Sequence, residues 1–402
     1  MKSLKIGSKS YFLFLFAIIL LILSVSLDKK FFENEFWNII DKTESYDTGF
    51  SSINNLINGT LNDKNNYLKI FSKSPKIFSN LISGVDERPQ LKRVDLEIKF
   101  KNLKKILDDR EKSSKQGIGI DFREVKAKVK FDGKIINSKI RLKGDLTNHW
   151  RSIQRMSFRV SLKGDNSLLG FKKFSIQKPS ARQHPYDQTF QNIQNQLENI
   201  SPRHSYINLY VNGENWGIMN VEEHMSKELL EKQKSKESLI FEFGDEKSWR
   251  YRRKNSENLY DEYRLSNPIL NTKAFGFNKY KDQNIFRKWY SYVAKEHVKQ
   301  SHHLYDNDSF TKSLLLALSW NSTHTLYPQN SRYFFNPYTL KLYPITTDQG
   351  HFSLINDEIK LSLPPIYKNL LKNPFFYSNF KVNNDKVTSV LTKSQEFINK
   401  WQ

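Results

Sequence analysis

A stretch of alternating apolar and basic residues, over 125–143, constrains the fold more than any other part of the chain. Apolar residues at every second position alternate with lysine or arginine on both sides of the dipeptide Asp132-Gly133. Successive side chains of a strand point to opposite faces, so this period of two predicts strands with one buried face. Asp-Gly is a favoured two-residue hairpin turn. The sequence therefore predicts an antiparallel hairpin here.

The same patterns predict further strands and helices along the chain. Alternation returns at 158–162, 174–176 and 207–211, each time before turn residues. Apolar residues at helical spacing predict helices at 186–200, 225–233, 285–298 and 310–320. We therefore expect a half dominated by antiparallel sheet before about residue 235, and a mainly helical half after it that ends in two strands around Tyr333 and Leu342.

An uncharged apolar run at residues 11–27 predicts a membrane anchor. It is short for a bilayer span, but flanking serines and lysines extend it. A cleaved signal peptide is the competing interpretation, since three lysines precede the run and Ser24-Val25-Ser26 resembles a poor cleavage site. We favour the uncleaved transmembrane anchor.

The charges around this run predict its orientation and the domain organisation. The amino-terminal flank carries lysines and no acids, which places the amino terminus in the cytoplasm and the bulk of the chain outside it. The absence of cysteine fits a bacterial cell-envelope protein. We predict a single-pass membrane protein with a cytoplasmic tail (1–10), anchor (11–27), stalk (28–88), main domain (89–380) and carboxy-terminal helix (381–402).

The chain is strongly basic, with 64 Lys and Arg residues against 42 Asp and Glu residues and a formal net charge of +22. No zinc-finger spacing, RNA-binding aromatic motif or basic zipper accompanies these charges, so no nucleic acid is expected as a partner. Phosphorylated ligands, acidic glycans and lipid headgroups all fit, as does coding bias. The sequence has no Walker-type phosphate loop and no Gly-x-Ser-x-Gly elbow, which removes support for ordinary nucleotide hydrolases and serine hydrolases.

The strand pattern at 341–347 ends on a lone carboxylate, Asp348, followed two residues later by Gly350. Asn330 lies upstream, before the preceding strand pattern at 332–336. Phosphoryl transfer uses such a pair of oxygen ligands to hold Mg²⁺ against nucleotide phosphates. An aspartate at a strand end is also typical of a turn or a helix cap, so the pattern alone leaves both interpretations open.

Five segments, in this order, resemble the CotH family of spore-coat-type atypical protein kinases: 140–145, 157–160 with 169–174, 211–213 with 216–218, 221–224, and 330–350. The resemblance implies an α+β, atypical two-lobed protein-kinase-like fold, with an antiparallel-sheet-rich N-lobe and a helical C-lobe, behind the N-terminal transmembrane helix. It also implies binding of ATP with Mg²⁺ and transfer of the γ-phosphate to Ser or Thr of an envelope or surface protein.

The resemblance also implies roles for particular residues. Asp348 matches the family's metal-binding and catalytic aspartate, and Asn330 matches the asparagine that would supply a second metal contact. Glu223 matches the glutamate that would pair with a phosphate-binding lysine. Lys143 and Lys178 are both candidates for that lysine, and we favour Lys143 because it lies in the recognisable Arg-Leu-Lys-Gly segment.

Two further residues complete the predicted site. Arg182 is a candidate phosphate clamp. Many relatives carry an aspartate shortly before the matched asparagine, whereas residues 320–329 contain no carboxylate and place His324 there. His324 is the predicted base, and a structural histidine is the alternative. If His324 is structural, the chain is better explained as a catalytically inactive binding or structural module; transfer of AMP or a sugar is a further alternative.

Overall fold

The computed structural model describes residues 91–119, 121–182, 184–243, 272–275, 282–349 and 362–401. The predicted tail, anchor and stalk, residues 1–88, lie outside this part of the chain. Of the helices that the structure describes, none is long and apolar enough to cross a membrane. The predicted location outside the cytoplasm stays a prediction.

Seven strands close into a barrel in the order β1-β2-β3-β4-β5-β7-β6. They are β1 (Arg93–Glu97), β2 (Val125–Phe131), β3 (Lys134–Leu142), β4 (Phe158–Leu162), β5 (Lys173–Gln177), β6 (His204–Val211) and β7 (Glu214–Glu223). Neighbours are antiparallel, except that β1 and β6 are parallel. Inward-facing apolar side chains of all seven strands fill the barrel. Helix α1 (Phe100–Gln116) packs on β2 and β3.

The predicted hairpin is confirmed as β2 and β3. Phe131 pairs with Lys134 across the turn, and Val125 pairs with Ile140 at the far end. Asp132 and Gly133 both have positive φ, 47° and 73°. This is the backbone that a two-residue hairpin needs, because its twist matches that of the flanking strands.

A four-stranded sheet with the order β11-β10-β8-β9 forms a second layered region. Its strands are β8 (Ile240–Phe243), β9 (Thr272–Phe275), β10 (Ser331–Asn336) and β11 (Lys341–Thr346). The described helices around it are α2 (Tyr186–Gln196), α3 (Lys227–Lys232), α4 (Asn284–Val298), α5 (Asn307–Ser319), α6 (Pro365–Leu370) and α7 (Pro374–Trp401). Helices α2 to α5 confirm the four helices predicted from apolar spacing.

Each face of this sheet is covered by helices. One face buries Phe241, Tyr333 and Phe335 in a core shared with α2, α4, α5, α6 and α7. On the other face, Phe334 packs in a smaller cluster with the two leucines of α3. Helix α2 lies in the connection between barrel strands β5 and β6, and its apolar side chains pack in the larger core of the second sheet. This connection links the barrel to the second sheet.

The predicted two-lobed, protein-kinase-like fold is wrong. Alternation identified β2 to β6 but could not show that the strands close into a barrel, since closure depends on β1 pairing with β6 more than 100 residues away, as in Val94 with Leu209. The described part of the second half is mainly helical, and its two expected strands are β10 and β11, but β8 and β9 were not expected and join them in one sheet. The short apolar run of β8 carries no period that distinguishes a buried strand from a helix.

Candidate functional site

The outer face of the barrel carries a buried polar surface beside the second sheet. Cross-strand pairing places Arg141, Arg159, Ser175 and Glu222 in one row across β3, β4, β5 and β7. Ser175 and Glu222 are buried. Buried polar groups are costly unless they find partners or bind a ligand, so this face is the first place to look for a site.

An ion pair lies at the centre of this surface. Lys143, directly after β3, donates from Nζ to Glu222 Oε2 at 2.8 Å and to Gln177 Oε1 at 2.9 Å. Gln177 Nε2 donates to the same carboxylate at 2.6 Å, and Arg182 Nε lies 3.4 Å from it. The Glu222 carboxylate therefore balances two buried cations, Lys143 and Arg182.

Burial shifts the ionisation of this pair. Burial and the nearby Arg182 charge lower the pKa of Lys143 to about 7, against the opposing attraction of Glu222. Burial disfavours the Glu222 carboxylate, but the charges of Lys143 and Arg182 outweigh it and hold the pKa of Glu222 well below its usual range. Glu222 is thus ionised at neutral pH, whereas Lys143 loses its proton close to neutral pH.

Arg182 joins this ion pair to a second acidic group, Asp348. Arg182 lies in the short 3₁₀ turn Pro179–Arg182 after β5, and its Nη1 contacts Asp348 Oδ1. The other carboxylate oxygen, Oδ2, lies 3.8 Å from His324 Nε2. Burial opposes ionisation of Asp348, but Arg182 and His324 hold its pKa well below the usual value. The side chains of His324 and Asp348 remain 38% and 34% exposed, so a ligand can reach both.

The Asp348 backbone is fixed by its neighbour, Gln349. The Gln349 side chain accepts from the Thr325 N–H at 2.9 Å and donates to the Ser322 carbonyl at 2.6 Å. Its backbone N–H donates to Asp187 Oδ1 on α2 at 2.9 Å. Asp348 itself has a positive φ of 61°, a conformation that needs such support. Gln349 therefore sets the position of Asp348 relative to the histidine turn.

Asn330 lies between His324 and the Asp348 loop. Its Nδ2 donates to the His324 carbonyl at 2.8 Å, which leaves Oδ1 to face another donor or a cation. Its own carbonyl accepts from Thr347 Oγ1 at 2.6 Å. Three residues predicted from sequence are thus brought together. No group of three or more acidic or histidine side chains that could hold a metal ion occurs in the described part of the chain.

The family model described as "CotH kinase protein" matches residues 140–307. Over these residues the chain is similar to the CotH family. The matched residues include Lys143, Arg182 and Glu222, whereas His324 and Asp348 lie beyond the match. A search of curated proteins finds no match to the chain.

Among the residues predicted for the site, Glu223 has a different partner from the one expected. Arg203 binds the Glu223 carboxylate through Nε and Nη2, each at 2.7 Å. The predicted pairing of Glu223 with the lysine is therefore wrong, and the adjacent Glu222 makes that pair. Lys143 is the lysine in the ion pair, while Lys178 is buried next to Gln177. The nucleotide-binding roles of these residues stay predictions.

Sequence reasoning missed several residues of the candidate site, including Gln177, Asp187, Glu222 and Gln349. It also missed His149, whose ring packs on Gly144, so that a Cβ on that glycine would lie 2.1 Å from it. Burial and the charges of Lys143 and Arg182 lower the pKa of His149 to about 3, so its imidazole is neutral. Only Glu222 had a sequence signal, as the neighbour of the glutamate that matched the family.

Proposed function

We propose that this CotH-like protein transfers the γ-phosphate of ATP to a Ser or Thr hydroxyl of another protein. The family's description as a kinase supports the proposal. One observation carries it: the buried Lys143–Glu222 ion pair is joined through Arg182 to Asp348, next to His324. Phosphoryl transfer requires cations that hold phosphates and a carboxylate that holds a divalent cation, and this cluster has both.

Lys143 and Arg182 are the residues that would hold the nucleotide's phosphates. Arg182 is buried, and the carboxylates of Glu222 and Asp348 orient its guanidinium group. Lys143 is oriented by Glu222 and Gln177. Cations held in fixed positions at a partly dry site stabilise developing charge without reorganising at the moment of reaction.

The donor set also fits a magnesium ion that is shared with a nucleotide. Mg²⁺ is usually held by one or two carboxylates together with substrate phosphates, and Asp348 with the Asn330 amide oxygen supplies that minimal set. When bound, Mg²⁺ would neutralise phosphate charge. Arg182 pairs with Asp348 in the free protein. We expect nucleotide phosphates to bind the guanidinium group in place of Asp348 Oδ1, which would leave that oxygen free to contact the metal.

His324 is the residue that would accept the proton of the attacking hydroxyl. Its Nε2 lies 3.8 Å from Asp348 Oδ2, and its side chain is 38% exposed. An imidazole within reach of the hydroxyl can act as general base as the phosphoryl group is transferred. No carboxylate occurs at 320–329 to take that role instead.

The test is labelling of the protein or its acceptor from radiolabelled ATP. Asp348→Ala should abolish labelling while circular dichroism shows an unchanged fold, because the change removes the carboxylate ligand. Asp165→Ala is the matched control: it makes the same chemical change at an aspartate whose side chain is fully exposed. Labelling that survives in Asp348→Ala would remove this residue from the reaction.

The alternative is a CotH-like binding or structural module without catalysis. The contact of Arg182 with Asp348 favours it, because a guanidinium competes with a metal for the carboxylate. Calorimetry with ATP and Mg²⁺ separates the two functions. Heat of binding that depends on Mg²⁺ and is lost in Asp348→Ala supports the kinase, whereas no heat at millimolar nucleotide supports the module.

A further inference from the structure

Two arginines of like charge lie directly opposite each other on neighbouring strands, in the same row as Glu222 of the Lys143 ion pair. Arg141 of β3 pairs in register with Arg159 of β4, and both side chains are partly exposed. Like charges at directly opposed positions destabilise a sheet. A bound anion at the edge of the candidate site would therefore stabilise these two arginines by reducing their repulsion.

The described residues provide no such charge in contact with the two arginines. Arg141 Nη1 donates to the Leu142 carbonyl at 3.0 Å, and Arg159 Nη1 contacts His224 Nδ1. Burial holds the pKa of His224 well below its usual value, so this histidine is a neutral acceptor. No carboxylate in the described part of the chain forms an ion pair with either arginine.

Other groups around Arg159 increase the surplus of positive charge. Burial lowers the pKa of Arg159 to about 10; the charge of Glu222 opposes this shift, and the charges of Arg141, Arg182 and Arg332 add to it. Arg332 forms its own ion pair with Glu242 at 2.9 Å. Ser175, the next residue in the row, is 1% exposed, and neither its Oγ nor Arg159 Nε has a hydrogen-bond partner. Unsatisfied buried donors are costly, and an anion on this row would reduce both costs.

We propose that Arg141 and Arg159 form a phosphate-binding subsite next to Lys143. The proposal rests on the proposed phosphotransfer and adds to it a second anchor for phosphate. Arg141 and Lys143 are two residues apart along the chain, so their Cα atoms are about 7 Å apart. The phosphate belongs either to the nucleotide's own chain or to a phosphorylated side chain of the acceptor protein. Planar guanidinium groups suit phosphate oxygens because they donate two parallel hydrogen bonds.

The test compares phosphate binding by the full chain and by Arg159→Gln. The probes are ATP, AMP and phosphoserine, titrated by calorimetry at constant ionic strength. Loss of a charge-assisted contact should weaken binding of ATP or phosphoserine about tenfold or more. Arg159→Lys should lose less affinity than Arg159→Gln, because it keeps the charge but cannot donate two parallel hydrogen bonds. Lys139→Gln is the matched control: it removes one positive charge from the same β3 strand, at an exposed side chain paired with Glu124. We expect it to change affinity less than about twofold.

The pattern of losses identifies the source of the phosphate. Weaker ATP binding with unchanged AMP binding assigns the subsite to the nucleotide's phosphate chain. Weaker phosphoserine binding in the presence of saturating ADP assigns it to the acceptor. Equal affinity of the parent protein and Arg159→Gln for ATP and for phosphoserine overturns the proposal, as does failure of the parent to bind either probe.

The experiment distinguishes effects of Arg159→Gln on folding and on catalysis from its effect on phosphate binding. Arg159→Gln removes a like-charge contact, so its melting temperature should equal or exceed that of the parent protein. Because binding is measured without turnover, arginine-dependent phosphate binding by a protein that never labels from ATP would refute the proposed reaction and leave the subsite standing.

Discussion

Replacement of Glu222 by glutamine is the sharpest test of the buried ion-pair cluster. The change keeps the size of the side chain and removes its charge, so Lys143 and Arg182 lose the carboxylate that they share. Arg182 retains Asp348, whereas Lys143 would keep only the neutral Gln177 contact. The main cost should therefore come from an uncompensated charge on Lys143.

The magnitude follows from the burial of both partners. The Lys143 and Glu222 side chains are 10% and 9% exposed, and their atoms are 2.8 Å apart. Removing one partner of a buried ion pair typically costs about 3–5 kcal/mol. Lys143 can lose its proton near neutral pH, which limits the cost, so we expect about 3 kcal/mol for Glu222→Gln. The double variant Glu222→Gln/Lys143→Met should recover more than about 1 kcal/mol of this loss, because it leaves no unpaired lysine.

The assay is urea denaturation of the full chain followed by circular dichroism, with the midpoint compared at equal slope. Glu223→Gln is the matched control because it breaks the neighbouring ion pair with Arg203, whose side chain is 37% exposed and stays partly hydrated. We expect its cost to be smaller than that of Glu222→Gln. A loss below about 1 kcal/mol for Glu222→Gln, with no recovery in the double variant, would contradict the assignment of a buried pair.

Two further predictions concern the same site. Burial lowers the pKa of Lys143 to about 7, so ATP affinity measured by calorimetry should fall as the lysine loses its proton between about pH 6 and pH 8. Lys143→Gln should bind ATP weakly, and its affinity should depend less on pH. An equally steep pH dependence in that variant would assign the titration to another group. Gly144→Ala should cost about 2–5 kcal/mol in urea denaturation, from its φ of 98° and the His149 ring 2.1 Å from the new methyl. Gly133→Ala, with φ of 73° and open space, should cost about 1–2 kcal/mol, so equal losses would exclude the contact.

Local structure was predictable from sequence because it depends on near neighbours. The hairpin at Asp132-Gly133 and the helices α2 and α4 follow from turn chemistry and apolar spacing, and the structure confirms them. Barrel closure was not predictable in this way. It requires β6 to pair in parallel with β1, and β7 to lie between β5 and β6, and no local pattern encodes either pairing.

Part of the candidate site could also be predicted. Asp348, Asn330 and His324 belong to one contiguous segment, so a strand, a turn and a strand bring them together with little help from distant residues. Asp187 and Gln349 could not be found in this way. Their function depends on the packing of α2 against the end of β11, which joins residues 162 positions apart.

The prediction of Glu223 rested on the resemblance to the family, and a local irregularity in the backbone explains why Glu222 lies at the site instead. Counting every second residue from the buried Trp216 puts Glu222 inside the barrel and Glu223 outside it. The register of β6 and β7 shifts at this point, because Leu209 pairs with Gly217 while Tyr210 pairs with Asn215, which leaves Trp216 as an extra residue. Gly217 has the positive φ, 73°, that a bulge of this kind accommodates. Beyond the bulge, Val221 faces the barrel core and Glu222 faces Lys143. One inserted residue therefore decides which glutamate enters the candidate site, because a slip of one position moves every later side chain to the other face.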